Sequence, residues 1–376
     1  MIDRRHFLAG GASTLILPGC VAGREAIRGP LAWQKLPTVP YRGKQDDIAF
    51  ESPGSARTGW YGNGEGRLFR TTNGGDSWEE VWHKPGTFIR ALGFFGDDVG
   101  VLGNVGPGSF PNVTDEVPLY RTTDGGRSWA AARIEGPAPR GICGIDVDWR
   151  STSRGDTILN EATMHAAGRV GGPAHYLRSD DYGATWTSRD LSSLAGAIYG
   201  VRFIERRTGF LAASSPGDRA AMNALILRTE DGGASWRPVY RGARGLEPVW
   251  KIHFPTRRIG YASVQSYDPD PAASRRFIVR TDDGARTWRE LPLIDDHGWR
   301  SFGIGFADER LGWVGGNQGG LETRDGGATW SRVEMGRAVN KIRFVGWGAE
   351  RRAFAIGSDV YRFDLGASRP RRHSIG

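Results

Sequence analysis

Seven short runs along the chain share one alternation: an aliphatic residue, one residue of any kind, then Phe or, once, Val. They are Ile48/Phe50, Leu92/Phe94, Ile145/Val147, Val201/Phe203, Ile252/Phe254, Ile304/Phe306 and Ile342/Phe344. Period-two alternation of this length predicts β-strands. A second run follows each, usually Gly-aromatic-aliphatic-small: Gly59-Trp60-Tyr61-Gly62, Gly209-Phe210-Leu211-Ala212, Gly260-Tyr261-Ala262-Ser263 and Gly312-Trp313-Val314-Gly315. Weaker versions sit at 100–103, 156–159 and 353–356. Two further strand-like runs complete each unit, as in Ile226-Leu227-Arg228-Thr229 and Trp236-Arg237-Pro238-Val239-Tyr240.

Between the third and fourth runs a nine-residue segment recurs six times. The copies are RTTNGGDSW at 70–78, RTTDGGRSW at 121–129, RSDDYGATW at 178–186, RTEDGGASW at 228–236, RTDDGARTW at 280–288 and ETRDGGATW at 322–330. The segment resembles the Asp-box (BNR) repeat. Its Asp-Gly-Gly core is tight-turn chemistry: the Asp side chain accepts bonds from turn amides, and Gly tolerates positive φ. The Trp that ends each copy is expected to fill a slot between neighbouring sheets. Asn73, Asp124, Asp181, Asp231, Asp283 and Asp325 are therefore read as structural, not catalytic. Tyr182 and Ala285 replace a Gly in two copies, so those turns are expected to be less regular.

A unit repeated at this spacing is the mark of a blade array. There are seven first and second strands but six boxes, and the seventh unit stops at Val360-Tyr361-Arg362-Phe363. The run Leu31-Ala32-Trp33-Gln34-Lys35-Leu36 supplies the missing strand. The predicted fold is all-β: a seven-bladed β-propeller over 31–366, closed by an N-terminal strand, with Trp33 beside Tyr361. Such closure removes the exposed sheet edge of an open array.

The first 19 residues read as a signal peptide: Arg4-Arg5-His6-Phe7-Leu8, then an apolar stretch too short to cross a bilayer. The Leu17-Pro18-Gly19-Cys20 end resembles a bacterial lipoprotein cleavage site, with Cys20 as the lipidated residue. The paired Arg resembles a twin-arginine export signal, and a basic Sec leader reads equally well. Val21 after the Cys suggests retention at the outer membrane of a Gram-negative envelope. Residues 20–30 are then a lipid-anchored tether, and 367–376, with Arg369, Arg371 and Arg372, a basic tail. Cys143 alone remains besides Cys20, which excludes an intramolecular disulfide in the mature chain.

The formal charge is +8; the leader removes Asp3, Arg4 and Arg5, one net positive charge, leaving +7. Nucleic acid is not an expected partner, because no binding signature appears. The seven His lack ligand spacing, so no metal is expected; no glycine run fits a nucleotide, so no cofactor is expected either. A monomer is expected.

The box turns share a face with the connection from first to second strand, where connections are expected to be short. The opposite face receives the long insertions, at 104–118, 160–175, 214–223 and 265–275. Long loops on a rigid scaffold are where binding concentrates. Residues leading into the inner strands there are expected to ring the channel mouth: Asp46, Asp47, Arg90, Arg140, Tyr199, Trp250, Lys251, Trp299, Arg300, Asn340 and Lys341. Of these, Arg90, Arg140, Tyr199, Trp250, Lys251, Trp299, Arg300 and Lys341 form the candidate partner-binding surface, basic with aromatic anchors.

Asp-boxes also occur in sialidases. A sialidase assignment could be forced: Arg90, Arg140 and Arg300 as carboxylate clamp, Tyr199 with Glu161 as nucleophile pair, Asp47 as acid. The Phe/Tyr-Arg-Ile-Pro signature that accompanies such a clamp is absent. The combined pattern of inner strand, Gly-aromatic strand and box resembles the photosystem II stability/assembly factor family and its non-photosynthetic bacterial relatives, over nearly all of 31–366. That resemblance implies a non-enzymatic, exported scaffold that contacts an assembling membrane protein. The expected function is a lipid-anchored periplasmic propeller binding an envelope protein and aiding assembly or stability of a complex. The alternative is a carbohydrate-binding protein or glycosidase acting on glycans.

Overall fold

The computed structural model describes residues 32–51, 56–154, 157–218, 220–270 and 272–366. The leader, Cys20, the tether and the basic tail lie outside the described residues.

The predicted strands form seven sheets, each a meander running outward from the channel. The inner strands are Gln45–Phe50, Ile89–Phe95, Gly144–Arg154, Ala197–Phe203, Val249–His253, Ser301–Phe306 and Lys341–Val345, which number blades 1 to 7. Blade 7 is completed by Gln34–Lys35, antiparallel to Val360–Asp364, with Gln34 opposite Arg362 and Lys35 opposite Tyr361. Trp33 joins Tyr361 in one core cluster. Its nearer ring neighbours are Trp313 and Phe363, at 5.3 and 5.5 Å. The all-β, seven-bladed, N-terminally closed propeller is the observed architecture.

The repeated residues each have a packing reason. The inner Phe lies over the Gly that opens the second strand, as Phe50 pairs with Gly59 and Phe203 with Gly209. A Cβ on Gly59 would come within 2.6 Å of the Phe50 ring, and one on Gly209 within 2.7 Å of Phe203. The second-strand aromatic then meets the inner Phe of the next blade. Trp60 stacks on Phe94, Phe210 on Phe254 and Tyr261 on Phe306, at 3.5, 4.4 and 3.5 Å between centroids.

In the six boxes the Thr or Ser hydroxyl bonds the Asp/Asn side chain and receives a turn amide, as in Thr229 Oγ1 to Asp231 Oδ1 (2.7 Å) and Gly233 N to Thr229 Oγ1 (2.9 Å). Asp231 also accepts from the Ser235 amide at 2.9 Å. The hydroxyl of Ser235 adds a further bond, and together these hold the carboxyl well below its ordinary range. The two irregular copies keep this scheme: Gly183 N to Ser179 Oγ and Ala285 N to Thr281 Oγ1 are both 2.9 Å. Tyr182 and Ala285 adopt left-handed φ of 58° and 69° in place of Gly. The expectation of less regular turns is corrected, because the hydroxyl and carboxylate fix the turn whatever residue occupies that position.

Blade 3 departs from the pattern. Its first two strands, Gly144–Arg154 and Thr157–Gly168, pair over eleven positions, from Gly144 with Ala167 to Arg154 with Thr157. The third strand covers only Met164–Gly168. The disc-level part of the second strand is therefore near His165, not at 156–159, and most of 160–175 is strand instead of an insertion on the loop-rich face. The first-to-second connection is here a projecting two-stranded ribbon, not a short turn. A further strand, Arg133–Glu135, lies parallel to the outer strand Thr185–Asp190 and gives this blade five strands.

Candidate functional site

Inner strands run from the loop-rich face to the box face, so each contributes residues at successive depths of the channel. Near the loop-rich end the channel is filled by charge. Asp46 takes Arg90 Nη1 at 2.7 Å and Lys44 Nζ at 3.0 Å. Asp47 takes Lys341 Nζ at 2.7 Å and Arg343 Nη2 at 3.2 Å. Lys341 also donates to the Arg90 carbonyl at 2.7 Å. Burial would raise both carboxyls, but Arg90 and Lys44 at Asp46, and Arg343 and Lys341 at Asp47, hold them below their ordinary range. Burial would likewise lower the Arg90 guanidinium, and Asp46 carries it above its usual value. Lys341 is pushed down to about 8 by burial, against the pull of Asp47.

An aromatic layer lies with these charges. Trp250 packs on Tyr199 at 4.9 Å, sits against Arg90 and Lys251, and donates from Nε1 to Asn340 Oδ1 at 2.8 Å. Lys251 donates to the Tyr199 carbonyl. Burial first, then Lys341 and Arg90, push its ammonium well below the ordinary lysine range.

The eight residues expected at an open mouth thus divide. Arg140 and Arg300 are exposed. Arg90, Tyr199, Trp250, Lys251, Trp299 and Lys341 are buried, none more than 9% exposed. Trp299 is a wedge in the blade 6 core, with Nε1 bonded to the Gln318 carbonyl at 3.1 Å. The expectation of an exposed basic rim here is corrected for those six: opposite charges from neighbouring blades pair at the channel axis, and Tyr199, Trp250 and Trp299 pack into apolar clusters beside them. The forced sialidase set is also dispersed, with Tyr199 in this plug and Glu161 on the ribbon beyond the box face.

Below the plug a cavity of about 540 Å³ opens toward the box face. Its floor carries Lys251 and Lys341, and its walls carry Arg202, Arg343, Asp146 and His253. Arg257, Asp148, Trp149 and Trp347 stand nearer the mouth. Trp347 is 70% exposed, the most exposed large apolar side chain among the described residues. Five basic side chains and two carboxylates thus line the cavity, with Lys341 and Arg343 also engaged by Asp47 of the plug. Asp146 is engaged by Arg202 at 3.0 Å and by the Phe203 amide at 2.6 Å. Asp148 lies 3.1 Å from Arg150, and burial, opposed by Arg150, leaves its carboxyl raised. His253 Nδ1 accepts the Phe306 amide at 3.2 Å. Arg257 pairs with Glu205 at 2.9 Å.

Sequence reasoning missed this mouth. Asp146, Arg202, His253 and Arg343 are the middle residues of the aliphatic-x-Phe runs, so the alternation that located the strands also marked the wall positions. Trp149 and Trp347 carried no such signal.

No family model matches the chain. Among curated proteins it is similar to the photosystem II assembly lipoprotein Ycf48 of Synechococcus sp. (strain CC9902), 23% identical over 345 residues, covering 88% of this chain and 87% of that protein. This similarity upholds the resemblance to the photosystem II stability/assembly factor family over most of both chains. Among solved structures, Ycf48 bound to D1 peptide matches with TM-score 0.59 and 18% identity, covering 88% of this chain and 94% of that one. Ycf48 from Cyanidioschyzon merolae matches with 0.60 and 17%, covering 88% and 98%. An ancestral enzyme of glycoside hydrolase family GH74 matches with 0.55 and 14%, covering 88% of this chain and 46% of that one. These structural likenesses show a shared fold.

Proposed function

We propose that this chain is a binding scaffold that holds an extended, acidic segment of another protein at the box-face cavity and so aids assembly or stability of a complex in the cell envelope. The observation that carries this reading is the predominantly basic lining of a cavity with one filled end and an exposed Trp347 at the other. Electrostatic complementarity of this kind steers encounter and fixes orientation, and a flat apolar ring at the rim adds an anchor. The similarity to Ycf48, and the Ycf48 structure bound to a D1 peptide, support a protein ligand over a glycan. Location rests on the sequence alone: the leader and Cys20 favour export and lipid anchoring, with Val21 favouring the outer membrane.

The test compares full-length wild type with Arg257→Glu, Trp347→Ala and Arg300→Glu in co-purification from the native host. The expected result is one envelope protein retained by wild type and Arg300→Glu, and depleted in the two box-face variants. Equal capture by all four forms would remove the cavity from the interaction. Capture lost only in Arg300→Glu would move the site to the loop-rich face. Labelling with radioactive palmitate in wild type but not Cys20→Ser checks the anchor.

A further inference from the structure

The ribbon of blade 3 projects past the level at which the blades pack on one another. Every other blade's first hairpin ends near its inner Phe, as blade 4 does at Phe203 with Gly209. Blade 3 continues past the equivalent pair, Val147 with Met164, for seven more pairs, from Asp148 with Thr163 to Arg154 with Thr157. At about 3.3 Å per residue the ribbon extends roughly 23 Å beyond the disc. An isolated two-stranded ribbon gains little stability of its own. Proteins shorten, bulge, charge or cover such edges, or place Pro in them, unless the edge is used; the charges here, Asp148 and Arg150, pair with each other at 3.1 Å. No Pro occurs from Gly144 to Gly168.

The two edges of the ribbon differ. On the second-strand side the blade's own box reaches over: Tyr182 Oη donates to the Asn160 carbonyl at 3.4 Å, and Thr163 Oγ1 bonds Asp180 Oδ1 at 3.1 Å. On the first-strand side, no other strand pairs with Gly144–Arg154 among the described residues. That edge is continuous with the channel wall, because Gly144, Asp148 and Trp149 all line the cavity. A segment lying along it runs straight toward Lys251 and Lys341.

We propose that the free edge of Gly144–Arg154 beyond Val147 is a strand-addition site, on which an extended acidic segment of the partner pairs backbone to backbone before its end enters the basic cavity. This rests on the function proposed above and adds the mode of recognition. Main-chain bonds supply affinity in such additions, and alternate side chains supply choice. Here the alternate contacts are Trp149 and Trp347 for apolar positions and Arg202, Arg257 and Arg343 for acidic ones, which selects a segment alternating between the two kinds. The charge excess excludes the chain's own basic tail as occupant.

The probe is a fluorescein-labelled ten-residue peptide alternating Val and Glu, measured by anisotropy with the full-length protein. In one variant, 149–162 is replaced by Asn-Gly, joining Asp148 to Thr163 by a two-residue hairpin turn that keeps their pairing. Losing several main-chain bonds weakens binding by about tenfold or more. A second measurement leaves the protein intact and N-methylates alternate amides of the peptide, on one set and then on the other. One set is expected to lose as much affinity as the ribbon deletion, and the other little. Trp149→Ala, which keeps the edge, is expected to lose less than the deletion. Undiminished binding by the deleted form, or equal tolerance of both methylated sets, overturns strand addition while Arg257→Glu still reports on the cavity. If the peptide binds neither wild type nor variant, the cavity reading and this inference both fall.

Discussion

Trp60 of blade 1 lies flat on Phe94 of blade 2, with ring centroids 3.5 Å apart and planes within 1°. Trp60 is fully buried and donates from Nε1 to the Gly125 carbonyl of the next blade's box at 2.8 Å. One side chain therefore holds two blades together through both its face and its edge. Truncation to Ala is expected to cost about 3–5 kcal/mol, as for other buried large aromatics. A double-mutant cycle of Trp60→Leu and Phe94→Leu is expected to give a coupling of about 0.5–1.5 kcal/mol. Chemical denaturation followed by Trp fluorescence and by far-UV circular dichroism measures both; additive losses would show that the stack contributes only its burial.

The Gly under each inner Phe makes a second, sharper test. A methyl group at Gly209 would stand 2.7 Å from the Phe203 ring, closer than real Cβ contacts come. The ring cannot simply swing away, because it also stacks on His165 at 3.5 Å and meets Trp236 edge-on at 6.1 Å. Gly209→Ala is expected to destabilise by about 1–3 kcal/mol. Adding Phe203→Val, which copies blade 3's Val147, is expected to relieve the clash, so that the pair loses less than the two single losses summed.

The charged plug predicts that Arg90 is a stability residue. Arg90→Met leaves Asp46 buried with Lys44 as its remaining ion-pair partner, and losing one partner of a buried pair costs about 3–5 kcal/mol. Asp46→Asn in the same chain is expected to recover part of that loss, because the remaining group no longer needs a counter-charge. Thermal unfolding of the two single variants and the double variant decides it. Equal melting temperatures for wild type and Arg90→Met would contradict the plug.

These residues show what was legible in the sequence. The inner Phe, the Gly-aromatic strand and the box recur in register, so the blade count and closure followed from spacing alone. Even the exceptions are matched. Blade 2 has Val101 where other blades place an aromatic, and its neighbour blade 3 has Val147 where others place Phe. A Cβ on Gly93 would touch both valines. The plug was not legible, because its contacts join different blades, from 44 positions apart for Arg90 to Asp46 up to 251 for Lys341 to Arg90 and 296 for Arg343 to Asp47. A sequence gives the sign of each charge there but not whether an opposite charge from another blade cancels it. The ribbon was missed for a different reason: its mostly polar residues carry no one-faced alternation.

Two histidines, the buried His165 and the half-buried His253 on the cavity wall, make stability depend on acid pH. His165 takes the second-strand aromatic position of blade 3, stacked on Phe203, with Nδ1 2.7 Å from Tyr176 Oη and no partner for Nε2 among the described residues. Burial lowers its pKa to about 3, and burial, with Arg202, Arg351 and Arg343, lowers that of His253 to about 3 as well. A protonated His253 could not accept the Phe306 amide at Nδ1. The ordinary value, held by the unfolded chain, is 6.5. Between 6.5 and about 3 the unfolded state binds more protons than the folded state, so stability falls as pH falls through that window. Each histidine contributes up to about 1.4 kcal/mol per pH unit. The carboxyls of the boxes act lower down: Asp124, at about 2 against an ordinary 3.8, loses its contribution only as pH drops from 3.8 through 2. His165→Phe restores the aromatic found at this position in most blades and removes one titrating group. Its stability, measured by urea denaturation at pH 7, 6, 5 and 4, is expected to decline more gently than wild type, by up to one proton per unfolding event. It also forfeits the bond to Tyr176, so its stability at pH 7 is expected to be no higher than wild type. Parallel declines for the two proteins would mean that His165 is protonated in the folded state and that the stack on Phe203 tolerates the charge.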